Sequence, residues 1–250
     1  MEITTAREVI AEFGAELYRR FLTDSTGGNL SIRLDDTIIM TPRFSGARWH
    51  WQLKPHQVLV LDLEGNIIEG DGEISREARA HFTLLQHFYP EATAFVHTHP
   101  RHIMAFCAAE QPMPAVLECT KSFESLELCR YAPSESQALA EALLEFMLSH
   151  KNSLSQNGAI ACMAPRHGLF VLARDIYTGY EVTERLDDNA YCVLQAEQIG
   201  GRFAALVIDT PDALVAGVRR LIRRIRQLDG RSPAAIVAHG HQLVHTAQGR

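Results

Sequence analysis

No G-x-x-x-x-G-K-[ST] loop, no G-x-G-x-x-G turn and no G-x-S-x-G elbow occurs in the 250 residues. The usual sequence grounds for a P-loop NTPase, a dinucleotide-binding domain or an α/β-hydrolase are therefore missing. Cysteine is scarce: Cys107, Cys119, Cys129, Cys162 and Cys192 are five in number, scattered and never spaced C-x-x-C. Neither a disulfide framework nor a thiolate zinc site is expected from them, and they read as reduced and mostly buried. Apolar runs are short, and none approaches the roughly 20 residues that cross a bilayer. The opening "MEITTAREVIAEFG" lacks the basic-then-apolar layout of a leader, so a soluble, cytoplasmic protein with no membrane partner is expected. Positive charge is in deficit too: a net charge of −6 gives no overall field for nucleic acid. What is present is 46% apolar residues in a chain of domain length, enough for one large core.

The patterning mixes strands and helices without strict alternation. "TAREVIAEFGAELYRRF" has Val9, Ile10, Phe13, Leu17 and Phe21 at helical spacing, with Thr5 and Glu8 placed for a capping box. "LSIRL", "TIIMTP" and "VLVLDLEGNII" read as strands, the last with a Glu-Gly-Asn turn. "SREARAHFTLLQHFY" reads as a helix closed by Pro90, "ATAFVHTH" as a strand and "PRHIMAFCAA" as a helix. "SQALAEALLEFMLSH" follows as a helix, "GAIACMAPRHGLFVLA" as one or two buried strands and "YTGYEVTERLDDNAYCVLQAEQIG" as a long helix. This order predicts a three-layer α/β/α sandwich around a mixed or antiparallel sheet. A break in composition divides the chain into a catalytic portion, 1–208, and a terminal portion, 209–250. The latter holds an amphipathic helix carrying Arg219, Arg220, Arg223, Arg224 and Arg226, then a tail with His239 and His241. That arginine-rich face reads as solvated or as a subunit contact, with nucleic-acid binding as a rival.

The chemistry concentrates at "AFVHTHPRH". Side chains at i and i+2 of a strand share a face, so His97 and His99 project together from its end. Neutral imidazole is the commonest protein ligand for zinc and similar ions. Glu77 and His81 precede them at i and i+4 of a helix, and "RHGLFVL" places His167 and Gly168 ahead of another buried run. Three imidazoles leave a tetrahedral ion one open position, which marks a catalytic site. Glu77 is placed to fill it at rest and to move protons once substrate arrives. His81 and His102 read as supporting or packing residues, and the pairs Asp35-Asp36 and Asp187-Asp188 as solvated. Cys119 and Glu118 are possible pocket residues.

Taken in order, "GGNLSIRL", "MTPRFSG", "ISREARAH", "FVHTHPRH" and "RHGLFVLA" resemble the class II aldolase/adducin family, over roughly residues 5–200. The resemblance implies an α/β/α fold and a homotetramer with active sites between subunits. It implies that His97, His99 and His167 bind a divalent ion, usually Zn2+ and alternatively Mn2+ or Co2+, with Glu77 as the acid-base residue beside it. Asn29, Thr41 and Ser75 would receive a substrate phosphate. Two departures bear on that anion site: Arg76 stands where family aldolases carry a second serine before the glutamate, and "TPRFSG" is lengthened and carries Arg43, with Arg48 close behind. Arginine forks suit phosphate or carboxylate alike. A tyrosine that some family members bring from a neighbouring subunit has Tyr131, Tyr177 and Tyr180 as candidates by chemistry alone.

The expected function is a metal-dependent carbon-carbon lyase of aldolase type, acting through a metal-stabilised enediolate on a small polyhydroxylated anion such as a sugar phosphate or sugar acid. Epimerase, dehydratase and decarboxylase chemistry share that intermediate. A non-catalytic adducin-like binding module is the rival from another class, and the three histidines stand against it.

Overall fold

The computed structural model describes residues 1–199, which lie within one compact unit, Met1–Ala204. The arginine-rich helix and histidine tail read from the sequence at 209–250 fall outside the described residues. In chain order the helices are α1 (Ile3–Arg19), α2 (Ser45–Trp49), α3 (Ala78–Phe88), α4 (Ile103–Ala109), α5 (Gln137–Ser149), α6 (Asn152–Asn157) and α7 (Ile176–Gln198). The strands are β1 (Asn29–Leu34), β2 (Thr37–Met40), β3 (Leu59–Asp62), β4 (Ile67–Glu69), β5 (Ala94–Thr98), β6 (Met113–Pro114), β7 (Ser125–Leu126), β8 (Ala159–Ala164) and β9 (Gly168–Ala173).

Seven strands form one sheet in the order β4-β3-β2-β1-β5-β9-β8, and all its pairings are antiparallel. Its central strands are covered on both sides, which is why they read as continuous apolar runs. Alternation sorts their residues cleanly. Leu30, Ile32, Val96 and Val171 meet Ile10 and Leu17 of α1, Ile103 of α4 and Val182 and Leu186 of α7. Phe95, Phe170, Leu172 and Ile160 meet Leu84, Leu85 and Phe88 of α3 and Leu143 and Met147 of α5. The result is the three-layer α/β/α arrangement expected, with its sheet antiparallel rather than mixed.

Two local expectations need correction. Helix α1 starts at Ile3 with Glu2 as its cap and no side-chain capping bond, so Thr5 lies inside the first turn and forms no capping box. Glu77 is not on α3 but stands one residue before its start, with φ −92° and ψ 2° and no side-chain capping bond. A turn closed by the Ala78 amide on the Ser75 carbonyl, at 3.0 Å, sets it there. The sequence reading also missed α2, a tight loop with left-handed residues at Phe44, His50 and Trp51. Trp51 is 1% exposed and its indole N–H donates to the Asp24 carbonyl at 2.7 Å, tying this loop to the loop before β1.

Trp51 lies against the middle of α1, where a Cβ on Gly14 would come 2.8 Å from its ring. Helix propensity favours alanine over glycine by about 1 kcal/mol, whereas overpacking against a rigid buried ring costs about 1–3 kcal/mol. Gly14→Ala should therefore lower the thermal unfolding midpoint, as followed by circular dichroism, contrary to propensity alone.

Candidate metal centre

The register of three neighbouring strands builds the floor of the site. Asn29 of β1 lies opposite His97 of β5, and His97 lies opposite Phe170 of β9. The His97 ring stacks on Phe170 at 4.0 Å between centroids and 8° between planes. It is fully buried, and its Nδ1–H donates to the Leu169 carbonyl at 3.0 Å. That bond fixes the tautomer and leaves the Nε2 lone pair facing inward. His99, one residue past the strand, holds Nδ1 3.2 Å from Asp24 Oδ2. His167 sits in the turn between β8 and β9, with Nε2 3.0 Å from Glu77 Oε1. Glu77 Oε2 is 3.2 Å from His97 Nε2.

One nitrogen from each of His97, His99 and His167 lies within 4.8 Å of the others. His97 Nε2, His99 Nε2 and His167 Nδ1 are buried and lack a hydrogen-bond partner, as does Glu77 Oε1. A buried polar group left unpaired costs about 1–3 kcal/mol, so four in one cluster point to something that satisfies them together. The outer nitrogens of His97 and His99, bonded to a carbonyl and a carboxylate, match the way proteins orient metal-binding imidazoles. The donor set thus fits a divalent cation with one position left open or taken by Glu77. Burial drives the His97 pKa down to about 3, keeping the ring neutral as a ligand must be. Burial opposes ionisation of Glu77, but hydrogen bonding from His167 and the Asn29 amide favours the carboxylate and holds the carboxyl below its usual range. Asp24 is likewise held low: burial is overcome by its bonds with His99 and Thr26.

Glycine makes the close approach possible. A Cβ on Gly27 would lie 2.2 Å from the His99 ring, and one on Gly168 would lie 2.7 Å from His99 Cδ2 and 3.0 Å from His97 Cε1. Neither ring can yield without leaving the cluster.

The histidines and Glu77 open into a cavity of about 380 Å³, which Asn29, Arg43, Ser75 and Arg76 also line. Thr41 does not. It is wholly buried and its hydroxyl accepts the Leu30 amide at 3.1 Å, so the structure gives it a role in the sheet margin rather than at a substrate. Asn29 is 4% exposed and its amide already donates to Ser75 Oγ at 3.1 Å and Glu77 Oε2 at 2.9 Å. Arg43 pairs with Glu73 at 2.7 Å and Arg76 with Glu135 at 2.8 Å. Of the three candidate tyrosines, Tyr131 lines the cavity of its own chain, while Tyr177 and Tyr180 pack on Phe13. His102 belongs elsewhere. It bonds Asp187 at 2.7 Å, and Asp187, 5% exposed rather than solvated, also accepts the His102 and Ile103 amides at the start of α4. Cys119 is exposed and, like Glu118, is not among the residues around the cavity. Asp24 and Arg166 were missed. The small polar segment "TDSTGGN" signals a loop but not that its aspartate reaches His99.

Two outcomes test this geometry. Gly27→Ala, whose new Cβ would meet only the His99 ring among its nearest neighbours, should leave the far-ultraviolet circular dichroism intact and weaken zinc binding roughly 10- to 100-fold by calorimetry, as loss of ligand orientation does elsewhere. His81 is fully buried, and burial lowers its pKa from 6.5 to about 3. A histidine held neutral in the fold takes up its proton only on unfolding, so stability is complete above pH 6.5 and falls as pH drops below it. Each such group contributes a slope of about 1.4 kcal/mol per pH unit. Denaturant melts between pH 6.5 and 5 should show His81→Gln losing one proton's worth of that slope relative to the parent chain.

The sequence matches the family model for the class II aldolase and adducin N-terminal domain over residues 8–194. It is 29% identical over 202 residues to the 3-oxo-tetronate 4-phosphate decarboxylase of Haemophilus influenzae, covering 77% of this chain and 90% of that protein. It is 28% identical over 203 residues to the 5-deoxy-D-ribulose 1-phosphate aldolase of Bacillus thuringiensis, covering 80% and 89%. In three dimensions an L-fuculose 1-phosphate aldolase superposes with a TM-score of 0.68 over 86% of this chain and 96% of that one, at 19% identity, which shares the fold. No helix among the described residues is long and apolar enough to cross a membrane. With its antiparallel α/β/α core and its histidine cluster, this chain belongs to the class II aldolase and adducin family.

Proposed function

We propose that this protein is a zinc-dependent carbon-carbon lyase of aldolase type that cleaves a small polyhydroxylated anion, such as a sugar phosphate or sugar acid. The observation that carries the reading is the convergence of His97, His99 and His167 with Glu77 at the floor of one cavity. A binding module has no need of four buried polar atoms without partners. Manganese or cobalt would suit the same nitrogen ligands. A bound divalent ion supplies electrostatic stabilisation for the negative charge of an enediolate as it develops on substrate oxygen.

The rest falls to the chain's own groups. Glu77 rests as a carboxylate against His97 and His167. Substrate entering the cavity displaces it from those rings, its pKa rises as their support is lost, and it becomes a competent base for a substrate hydroxyl proton. The proton is then returned to carbon from the same carboxyl. Ser75 and the arginines Arg43 and Arg76 stand along the cavity where the anionic end of the substrate would lie. To bind it, each arginine exchanges or shares its glutamate partner. Decarboxylation is the second reading, supported by the decarboxylase relative, because loss of carbon dioxide generates the same enediolate. The reading also includes a cytoplasmic homotetramer with sites between subunits, which sedimentation equilibrium tests.

Zinc-loaded protein should cleave, or release carbon dioxide from, at least one member of a panel of sugar phosphates, sugar acids and keto-acids. EDTA should abolish that activity and zinc, manganese or cobalt restore it. Glu77→Gln should keep the metal and lose turnover roughly 100- to 10,000-fold, the range for removing an acid-base group. Activity untouched by chelation, or full activity in that variant, would remove the proposal.

A further inference from the structure

We propose that His81 and Ser31 are positioning residues that act through Asn29 to aim Glu77, as the far end of a one-directional hydrogen-bond chain. All four side chains are buried: Ser31 and His81 at 0% exposure, Asn29 at 4% and Glu77 at 9%. Ser31 Oγ lies 2.6 Å from His81 Nδ1, His81 Nε2 bonds Asn29 Oδ1, and Asn29 Nδ2 lies 2.9 Å from Glu77 Oε2.

The direction of each bond follows from counting. Asn29 has two amide hydrogens, and its two Nδ2 partners, Ser75 Oγ and Glu77 Oε2, can take them both. The flipped amide would set a carbonyl oxygen against a carboxylate, two acceptors face to face, so the orientation is decided by Glu77. Oδ1 is then the acceptor toward His81, so His81 Nε2 carries the hydrogen. In a neutral ring Nδ1 is therefore bare and accepts the Ser31 hydroxyl. Every donor in the chain points toward the negative charge on Glu77, and among side chains so buried such bonds reinforce one another. Phe95 contributes to holding the imidazole plane, meeting it edge-on at 4.7 Å and 80°.

Burial alone would require both nitrogens of His81 to find partners, but it would not require those partners to lead to Glu77. Here both are used, and for a single tautomer. The same count changes the part given to Asn29. Its donors are spent within the chain, so an anion can draw on it only by releasing Ser75 or Glu77. Asn29 thus belongs to the proton-handling side of the cavity more than to its anion-binding side.

The inference rests on the lyase reading for what Glu77 does, and its test separates the two. Long-range nitrogen-proton NMR of the zinc-loaded protein, with the His81 signals assigned through His81→Gln, should show His81 as the neutral Nε2–H tautomer alone. The Nδ1–H tautomer would overturn the chain whatever the enzyme does. On the substrate found in the screen, His81→Gln keeps a donor near the Nε2 position, while His81→Phe fills the space without one. We expect kcat to fall by no more than about fivefold in the first and by about 100-fold or more in the second, with KM and zinc content nearly unchanged. Equal losses in the two folded variants, or losses confined to KM or to zinc content, would reduce His81 to packing. Should His81→Phe fail to fold, Ser31→Ala serves instead: mixed His81 tautomers and about a tenfold lower kcat support the chain, and an unchanged spectrum and rate overturn it. If no substrate emerges at all, the lyase reading falls while the tautomer still decides the chain.

Discussion

A fully buried histidine at the end of a central strand is the constraint on which the site depends. His97 occupies a position that alternation assigns to the same layer as Phe95, and the sheet there is covered on both sides. An imidazole in such a place is stable only if both nitrogens are satisfied. The Leu169 carbonyl across the β5–β9 pair takes one, so the strand register itself sets the tautomer. The other nitrogen faces Glu77 and the two remaining histidines. The ring cannot tilt, because Phe170 stacks on it from the neighbouring strand.

Much of this was legible in the sequence for a simple reason: it depends on local periodicity. Two-residue spacing on a strand placed His97 and His99 together, and short apolar runs between turn residues marked the strands on either side. What was not legible depends on contacts between distant segments. Nothing in "TDSTGGN" says that Asp24 reaches His99, 75 residues away, or that the loop around α2 is pinned beneath it by Trp51. Thr41 stands in a motif that suggests substrate, yet the antiparallel β1–β2 pair turns its hydroxyl onto the Leu30 amide. Asp187 reads as a solvated helix residue because its partners, the first amides of α4, are 84 and 85 residues away.

The charges around the cavity show a related compromise. Arg43, Arg76 and Arg166 line it, and each has a glutamate partner: Glu73, Glu135 and Glu110. Pairing keeps the arginines ordered and prevents an uncompensated positive cluster in the absence of substrate. The side chains are partly exposed, between 29% and 67%, so the pairs are worth little in stability, and exchanging a glutamate for a substrate anion is cheap. Such a rim would suit the proposed anionic substrate without committing to the geometry of one anion. This accords with Arg76 at the position where the family resemblance implies a phosphate-binding serine.

Glu77 shows how the fold separates holding a group from immobilising it. A glutamate at the start of a helix has a ready partner in the free amides of the first turn, and had Glu77 capped α3 its carboxylate would have been spent on backbone. Instead it makes no capping bond. The Ser75 hydroxyl accepts the Glu77 amide at 3.3 Å, which fixes the main chain, while the carboxylate accepts the Asn29 amide and lies beside His97 and His167. Its main chain is thus fixed by backbone bonds while its carboxylate faces the cavity and not the helix, the arrangement that the proposed proton carrier would use.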